Sequence, residues 1–331
     1  MKTTSDFVAI GDITTDAFIR LKDAHVHTNL DEDKKEVCLS YGAKIPYESV
    51  TVINAVGNCA NAAVAAARLG VSSALISNQG DDELGSIQIK VLQKEEVSTK
   101  FITSHPGKKT NYHYVLWYGD ERTILVKHEE YPYYMPDIGH PEWLYLTSLG
   151  ESSIEFHSEL EAWLETHPHT KLAFQPGTFQ LNMGLERLAY FFKRAEVLFV
   201  NKEEASLLLK DEPSSNSATL AKNLQKISGK IAVVTDGPVG AYFAIGENVW
   251  FIPPYPDPRA PFERTGAGDA FSSTFIAALS LGLSLKEAML WAPINSMSVV
   301  QKIGAREGLL NRSEIKHFLA HAPKNYKPKK V

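Results

Sequence analysis

An α/β fold, with a mostly parallel sheet between layers of helix, is what this sequence predicts. Two observations carry it. Short, uninterrupted apolar runs recur along the chain, and stretches with helical spacing of apolar residues lie between them. Runs of that kind suit strands buried on both faces, which occur where helices cover both sides of a parallel sheet. In chain order the expected strands are Phe7–Ile10, Ala74–Ser77, Trp143–Thr147, Leu172–Phe174, Val197–Val200 and Ile231–Val234. The expected helices between them are Ala60–Leu69, Glu83–Lys94, Ile154–Thr166, Lys202–Leu209 and Ala218–Ile227. The C-terminal third reads as helical over Ala270–Leu281, Leu285–Lys302 and Ser313–Ala320.

Two stretches break the alternation. From Ile19 to Val56, extended segments flank a charged turn, Asp31-Glu32-Asp33-Lys34-Lys35. From Thr110 to Lys127 a β-hairpin is expected around Gly119-Asp120. Together these two read as a small second sheet that closes over the carboxyl ends of the main strands, where open α/β sheets bind ligands. The expected organisation is a large domain of residues 1–18, 57–109 and 128–322, a β-sheet lid of 19–56 and 110–127, and a frayed basic tail at 323–331.

The chain has 331 residues, 44% of them hydrophobic and 22% charged, enough to bury a large core. A net charge of −5 gives no general basic field, which argues against nucleic acid as a partner. Two cysteines, Cys38 and Cys59, cannot make a disulfide framework, and no Cys/His spacing suggests zinc. His25 and His27 stand two apart with no carboxylate–histidine cluster joining them. The start of the chain leads into only a short apolar run, so no secretory signal is expected. No apolar run is long enough for a membrane span. A cytoplasmic protein acting on a small molecule is the expectation.

Five short motifs carry the chemistry. Thr265-Gly266-Ala267-Gly268-Asp269 runs straight into the apolar helix Ala270–Leu281. A glycine-rich turn at a helix start offers free backbone N–H groups and the positive end of the helix dipole to an anion. Asp269 in the first turn sets a carboxylate beside that cradle, as phosphoryl transfer to a hydroxyl requires; it is equally a favourable first-turn acid. Gly11-Asp12-Ile13-Thr14-Thr15-Asp16 follows the first strand, and Asp16 can accept hydrogen bonds from paired hydroxyls or simply cap the turn. Gly57 opens a small-residue helix in which the alanines suit close packing, while Gly57 and Asn61 suit a substrate. Asn201 and Glu204, after Val197–Val200, fit both a capping box and a hydrated Mg²⁺ beside phosphates. Thr235, Gly237 and Gly240 form a tight turn that lets an extended nucleotide approach the backbone.

The order of these motifs resembles the ribokinase-like carbohydrate kinases, also called the PfkB family, over roughly Phe7 to Leu310. The resemblance implies a ribokinase-like three-layer sandwich with a β-sheet lid, and ATP-dependent phosphorylation of a hydroxymethyl group, as in ribokinase or fructokinase. It implies Asp269 as the base, with Gly266, Ala267 and Gly268 as the anion hole. Asn201 and Glu204 would be the Mg²⁺–phosphate pair. Thr235, Gly237 and Gly240 would line the ATP site together with Asn201, and Asp16, Gly57 and Asn61 would face the acceptor.

Three positions depart from the family pattern. Val56-Gly57 replaces a usual Gly-Gly. Glu263-Arg264 replaces a common Asp-Thr whose Asp helps some members hold a monovalent cation, so Glu263 leaves K⁺ activation open. Gln175 stands where sugar kinases often carry an Asp. The rival readings are a nucleoside kinase, with Tyr112, Tyr114, Trp117 and Tyr118 as a base-binding wall, and a sugar- or nucleotide-binding regulator without transfer activity. A dehydrogenase is set aside because no G-x-G-x-x-G follows the first strand. Exposed lid strands favour a lid-to-lid homodimer.

Overall fold

The computed structural model describes residues 5–29, 34–119, 121–211 and 215–331. The chain opens with β1 (Phe7–Ile10) and β2 (Thr14–Leu21), then β3 (His25–Asn29), β4 (Lys34–Cys38) and β5 (Tyr47–Val56). Helix α1 (Asn58–Arg68), β6 (Ser73–Gly80), α2 (Glu83–Lys94) and β7 (Ile102–His105) lead to the pair β8 (Tyr112–Tyr118) and β9 (Glu121–Leu125). Next come β10 (Trp143–Leu146), α3 (Ile154–Thr166), β11 (Lys171–Phe174), α4 (Thr178–Arg187) and α5 (Ala189–Arg194). They are followed by β12 (Ala195–Asn201), α6 (Lys202–Leu209), α7 (Ser217–Ser228), β13 (Ile231–Thr235), β14 (Ala241–Ile245) and β15 (Asn248–Ile252). The chain closes with α8 (Ala267–Ser280), α9 (Leu285–Val299), α10 (Arg312–Ala320) and β16 (Lys329–Lys330).

Ten strands form the main sheet in the order β16-β15-β14-β13-β12-β11-β10-β1-β6-β7. From β7 to β13 every pairing is parallel, and β13 through β16 pair antiparallel. Strand β1 shows why the apolar runs are unbroken: Phe7 and Ala9 join a core with α1, α8 and α9, while Val8 and Ile10 join a second core with α3, α5, α6 and α7. Every side chain of such a strand is buried, so the sequence carries no alternation. The parallel arrangement puts the carboxyl ends of β1, β10, β11, β12 and β13 on one edge, where Asp12, Ser148, Gln175, Asn201 and Thr235 emerge.

The lid is a four-stranded sheet, β5-β2-β8-β9. It takes up Thr14–Leu21 whole, so a lid boundary at Ile19 falls inside a strand. The first half of β2 is buried like a core strand because it lies between the lid and the main body, which disguises it in the sequence. β3 and β4 pair as a separate ribbon; the turn residues Asp31–Asp33 lie outside the described residues, as does Asp120 between the paired strands β8 and β9. The expected frayed tail is a second correction. Tyr326 is only 6% exposed and donates its hydroxyl to Leu290 O at 2.6 Å, while β16 pairs with β15. An aromatic anchor ties down a segment whose charge suggested solvent. The antiparallel edge β14–β15 went unread, although Ala-Tyr-Phe-Ala-Ile and Asn-Val-Trp-Phe-Ile around Gly246 are a hairpin pattern.

Candidate active site

Helix α8 begins at Gly266, whose φ of 75° places it in the left-handed region. Its neighbour is Ala305: a Cβ at Gly266 would sit 2.6 Å from Ala305 Cα, so the position excludes any side chain. With no side-chain cap, the amides of Gly268 and Asp269 have no acceptor among the described residues, and Ala267 N makes a long 3.4 Å bond to Arg264 O. The helix is buried from Asp269 to Ala278, which anchors this uncapped end against the sheet.

Asp269 is 7% exposed and forms part of a cavity floor. Its Oδ1 accepts from Asn58 Nδ2 at 3.1 Å and Gln175 Nε2 at 3.2 Å, and its Oδ2 accepts from Asn61 Nδ2 at 2.8 Å. Burial pushes its carboxyl above the usual range, and the amides of Asn61 and Gln175, the Arg122 charge and Asn58 pull it back. The hydrogen bonds favour the ionised form, and burial, the larger effect, favours the neutral one.

Two cavities meet at this helix start. The first, about 660 Å³, is lined by Asp16, Gly57, Asn61, Gln175, Glu204, Gly266 and Asp269. The second, about 540 Å³, is lined by Gly237, Gly240, Tyr255, Ala267 and Met297. Asn201, Thr235, Arg264, Gly268 and Phe271 line both. The sequence-predicted acceptor residues therefore sit in one chamber and the turn Thr235–Gly240 borders the other, with the amides of α8 at the seam.

Asp16 projects from the lid, and burial raises its carboxyl to about 7 against the pull of Thr14 and Arg122. Its Oδ1 is buried without a hydrogen bond, 3.6 Å from His113 Nδ1 on the neighbouring strand. Burial and His128 lower His113 to about 4, so this imidazole is neutral at pH 7. Asp12 is spent otherwise: it accepts from Tyr133 Oη at 2.5 Å and Gly150 N at 2.8 Å and lies 3.3 Å from His128 Nδ1. Gly57, at φ 104°, packs so tightly that a Cβ would lie 2.5 Å from Asp12 O.

Asn201 and Glu204 form a reciprocal capping box, with bonds of 2.8 Å each way. Glu204 is raised by burial and borders the first cavity, and the capping bond uses one of its two oxygens. Among the described residues no group of three acidic, histidine or cysteine side chains can hold a metal alone. The pair fits Mg²⁺ only as part of a shell completed by phosphates and water, which is how Mg²⁺ is commonly held.

Glu263 lines neither cavity. It is 4% exposed, and its two oxygens accept from Thr265 N and Gly304 N, each at 2.7 Å. The carboxylate that the sequence offered to a monovalent cation is a clamp on the loop before α8. The sequence reading missed Asn58, Arg122 and His113. Asn58 stands beside Gly57, but Arg122 and His113 reach the cavity only through lid register, which no local motif announces.

A family model described as pfkB family carbohydrate kinase matches residues 27–312. The chain belongs to this family. The PfkB chain is 27% identical over 270 residues to a ribokinase of Bacillus subtilis, a match covering 80% of this chain and 87% of that one. Its fold matches a ribokinase of Arabidopsis thaliana complexed with ribose and ATP, with a TM-score of 0.77, 18% identity and coverage of 96% and 99%. A nucleoside kinase of Methanocaldococcus jannaschii matches with a TM-score of 0.76, 18% identity and the same coverage. The three-layer sandwich and small lid sheet are those of this PfkB kinase fold, and the chain is a carbohydrate kinase by family. No helix among the described residues is long and apolar enough to cross a membrane.

Proposed function

We propose that this PfkB chain transfers the γ-phosphoryl group of ATP to a hydroxymethyl group of a sugar or sugar-like alcohol. The observation that carries the reading is the position of Asp269, a hydrogen-bonded carboxylate on the acceptor-cavity floor in the first turn of an uncapped helix. An acceptor hydroxyl in the first cavity gives its proton to Asp269 as its oxygen attacks the γ-phosphorus. The bond to the β–γ bridging oxygen breaks, and ADP departs. Charge on the phosphoryl oxygens faces the amides of Gly268 and Asp269 and the Arg264 guanidinium, which borders both cavities. Mg²⁺ bound near Asn201 and Glu204 would neutralise phosphate charge, and no step is assigned to K⁺.

A sugar-type acceptor is favoured over a nucleoside by what surrounds the first cavity. Among its described lining residues, Tyr112, Tyr114, Trp117 and Tyr118 do not appear. Trp117 instead packs edge-on against Phe262 and under Arg20, as a lid-core residue does. The sugar-kinase relative in sequence supports the same choice. The reaction is assigned to the cytoplasm, where ATP is supplied. A lid-to-lid dimer is supported by exposed Val52, Tyr114 and Leu125, which fall in one row across the lid sheet; sedimentation as a monomer at all concentrations would exclude it. The test of function is an ADP-release screen over sugars, sugar phosphates and nucleosides with wild type and Asp269→Asn. Turnover of a sugar-type alcohol that falls by about 10²–10⁴-fold in the variant is expected. Near-normal turnover in a folded variant refutes the base, and binding without ADP release in wild type points to the regulator reading.

A further inference from the structure

Gln175, at the carboxyl end of β11, is held at both ends of its amide. The Tyr145 hydroxyl, from β10, donates to Gln175 Oε1. Ser272 Oγ, one turn into α8, lies 3.0 Å from the same oxygen and 2.7 Å from the Tyr145 hydroxyl. Burial raises Tyr145 well above the usual phenol range, so its hydroxyl keeps the proton it donates. With Oε1 engaged in this way, Nε2 is left to face Asp269 Oδ1, at 3.2 Å. Turning the amide over would set its carbonyl oxygen against an ionised carboxylate, a contact between two acceptors.

The donors are unequally shared between the carboxylate oxygens. Oδ1 receives Asn58 and Gln175, which fills its two lone-pair directions, whereas Oδ2 receives Asn61 alone. Oδ2 is therefore the oxygen with a free position. We propose that Gln175 is a positioning residue for phosphotransfer: with its amide oriented by the Tyr145 hydroxyl, it occupies Asp269 Oδ1, favours the ionised carboxylate and leaves Oδ2 to take the acceptor's proton. The proposal rests on the reading of Asp269 as the base. Other groups also act on Asp269. Arg122 from the lid favours the charged form, while Glu204 on α6, Cys59 on α1 and Tyr145 on β10 are the remaining titratable neighbours. None of them donates a hydrogen bond to Oδ1, so the contribution of Gln175 is separable.

The experiment is the pH profile of kcat/KM, with the best acceptor from the screen, for wild type, Gln175→Ala, Gln175→Glu, Tyr145→Phe and Asp269→Asn, each checked by thermal melting. The acid limb reports protonation of the free enzyme's essential carboxylates, Asp16 as well as Asp269, so each variant is also measured in an Asp16→Asn background, where the remaining limb belongs to the base. Loss of one neutral donor to the carboxylate should move that limb upward by roughly half to one pH unit in Gln175→Ala. Gln175→Glu, which sets a second acid against Asp269, should move it further. Tyr145→Phe keeps Gln175 but frees its amide, so a smaller upward shift is expected there, and this variant also covers failure of the Gln175 variants to fold. A uniform fall in kcat/KM with an unmoved acid limb, in variants that melt normally, overturns the proposal while Asp269→Asn inactivity leaves the base in place. Turnover surviving in Asp269→Asn overturns both.

Discussion

Gly266→Ala puts the anion cradle to the most direct test, because its cost can be worked from neighbouring atoms. Gly266 has φ of 75°, a conformation that costs a non-glycine residue roughly 1–2 kcal/mol. The new Cβ would also stand 2.6 Å from Ala305 Cα and overlap its methyl group, so the two segments must part by about an ångström to restore ordinary contact. Forced overpacking of this kind costs typically about 1–3 kcal/mol. Together the two effects come to roughly 2–5 kcal/mol if nothing relaxes. Relaxation has a functional cost, since moving Gly266 moves the amides behind it, and a misplacement near one ångström lowers turnover by about 10²-fold. Gly268→Ala is the control: its Cβ meets nothing closer than Gln175 Nε2 at 3.8 Å, its φ is unstrained, and it projects into the seam of the cavities. Thermal melting and ADP-release kinetics of both variants decide the matter. Gly266→Ala should lose both stability and turnover, and Gly268→Ala should lose turnover alone. A Gly266→Ala protein with wild-type melting and wild-type kcat would refute the argument from close packing.

Asp16→Asn tests the acceptor site. The ionised form is the better acceptor for sugar hydroxyls, and burial raises this carboxyl to about 7, so KM for the alcohol should fall as pH rises through that value. In the variant that dependence should vanish with KM raised; a wild-type KM that stays flat from pH 6 to 8 would remove Asp16 from acceptor binding. The linkage to stability has the opposite sign. A carboxyl whose folded pKa lies above its unfolded value binds a proton preferentially in the native state, so its contribution is present at low pH and lost as pH rises through about 7. Melting of wild type should decline across that window more steeply than melting of Asp16→Asn. Arg122 reaches the cavity from the lid, and its buried Nε has no hydrogen-bond partner among the described residues. Arg122→Gln should therefore lower kcat/KM with little change in melting temperature; an unchanged kcat/KM would show that the guanidinium never meets the reactants.

What the sequence made legible was the chemistry at the strand ends. Each such residue is announced by a local rule: a glycine that must turn, as at Gly57 and Gly266, or a capping pair three apart, as at Asn201 and Glu204. Of the two readings of that pair the capping box is formed, using one Glu204 oxygen, while Glu204 also borders the first cavity. The acceptor chamber was less legible. His113 meets Asp16 because β8 runs parallel to β2 with Asp16 opposite His113, a relation between residues nearly a hundred apart. Glu263 shows the converse limit: its charge was visible, but the amides of Thr265 and Gly304 that occupy it were not.

On the proposed function, the lid bears on which alcohol the reaction centre accepts. Asp269, its amide donors and the α8 helix start belong to the main body, packed on a sheet buried on both faces. Of the groups left unsatisfied at the acceptor end, Asp16 Oδ1, His113 Nε2 and Arg122 Nε come from lid strands, and Asn61 Oδ1 comes from α1. Each buried polar atom without a partner costs roughly 1–3 kcal/mol, so a ligand that supplies donors to Asp16 and acceptors to Arg122 recovers energy that a poorly matched alcohol cannot. Under the proposed function, three of these four groups would let the lid weigh on selectivity, while Asp269 and the α8 helix start would weigh on rate. Exchanging Asp16 or Arg122 should therefore redistribute kcat/KM among acceptors, and exchanging Gly268 should lower kcat for all of them alike.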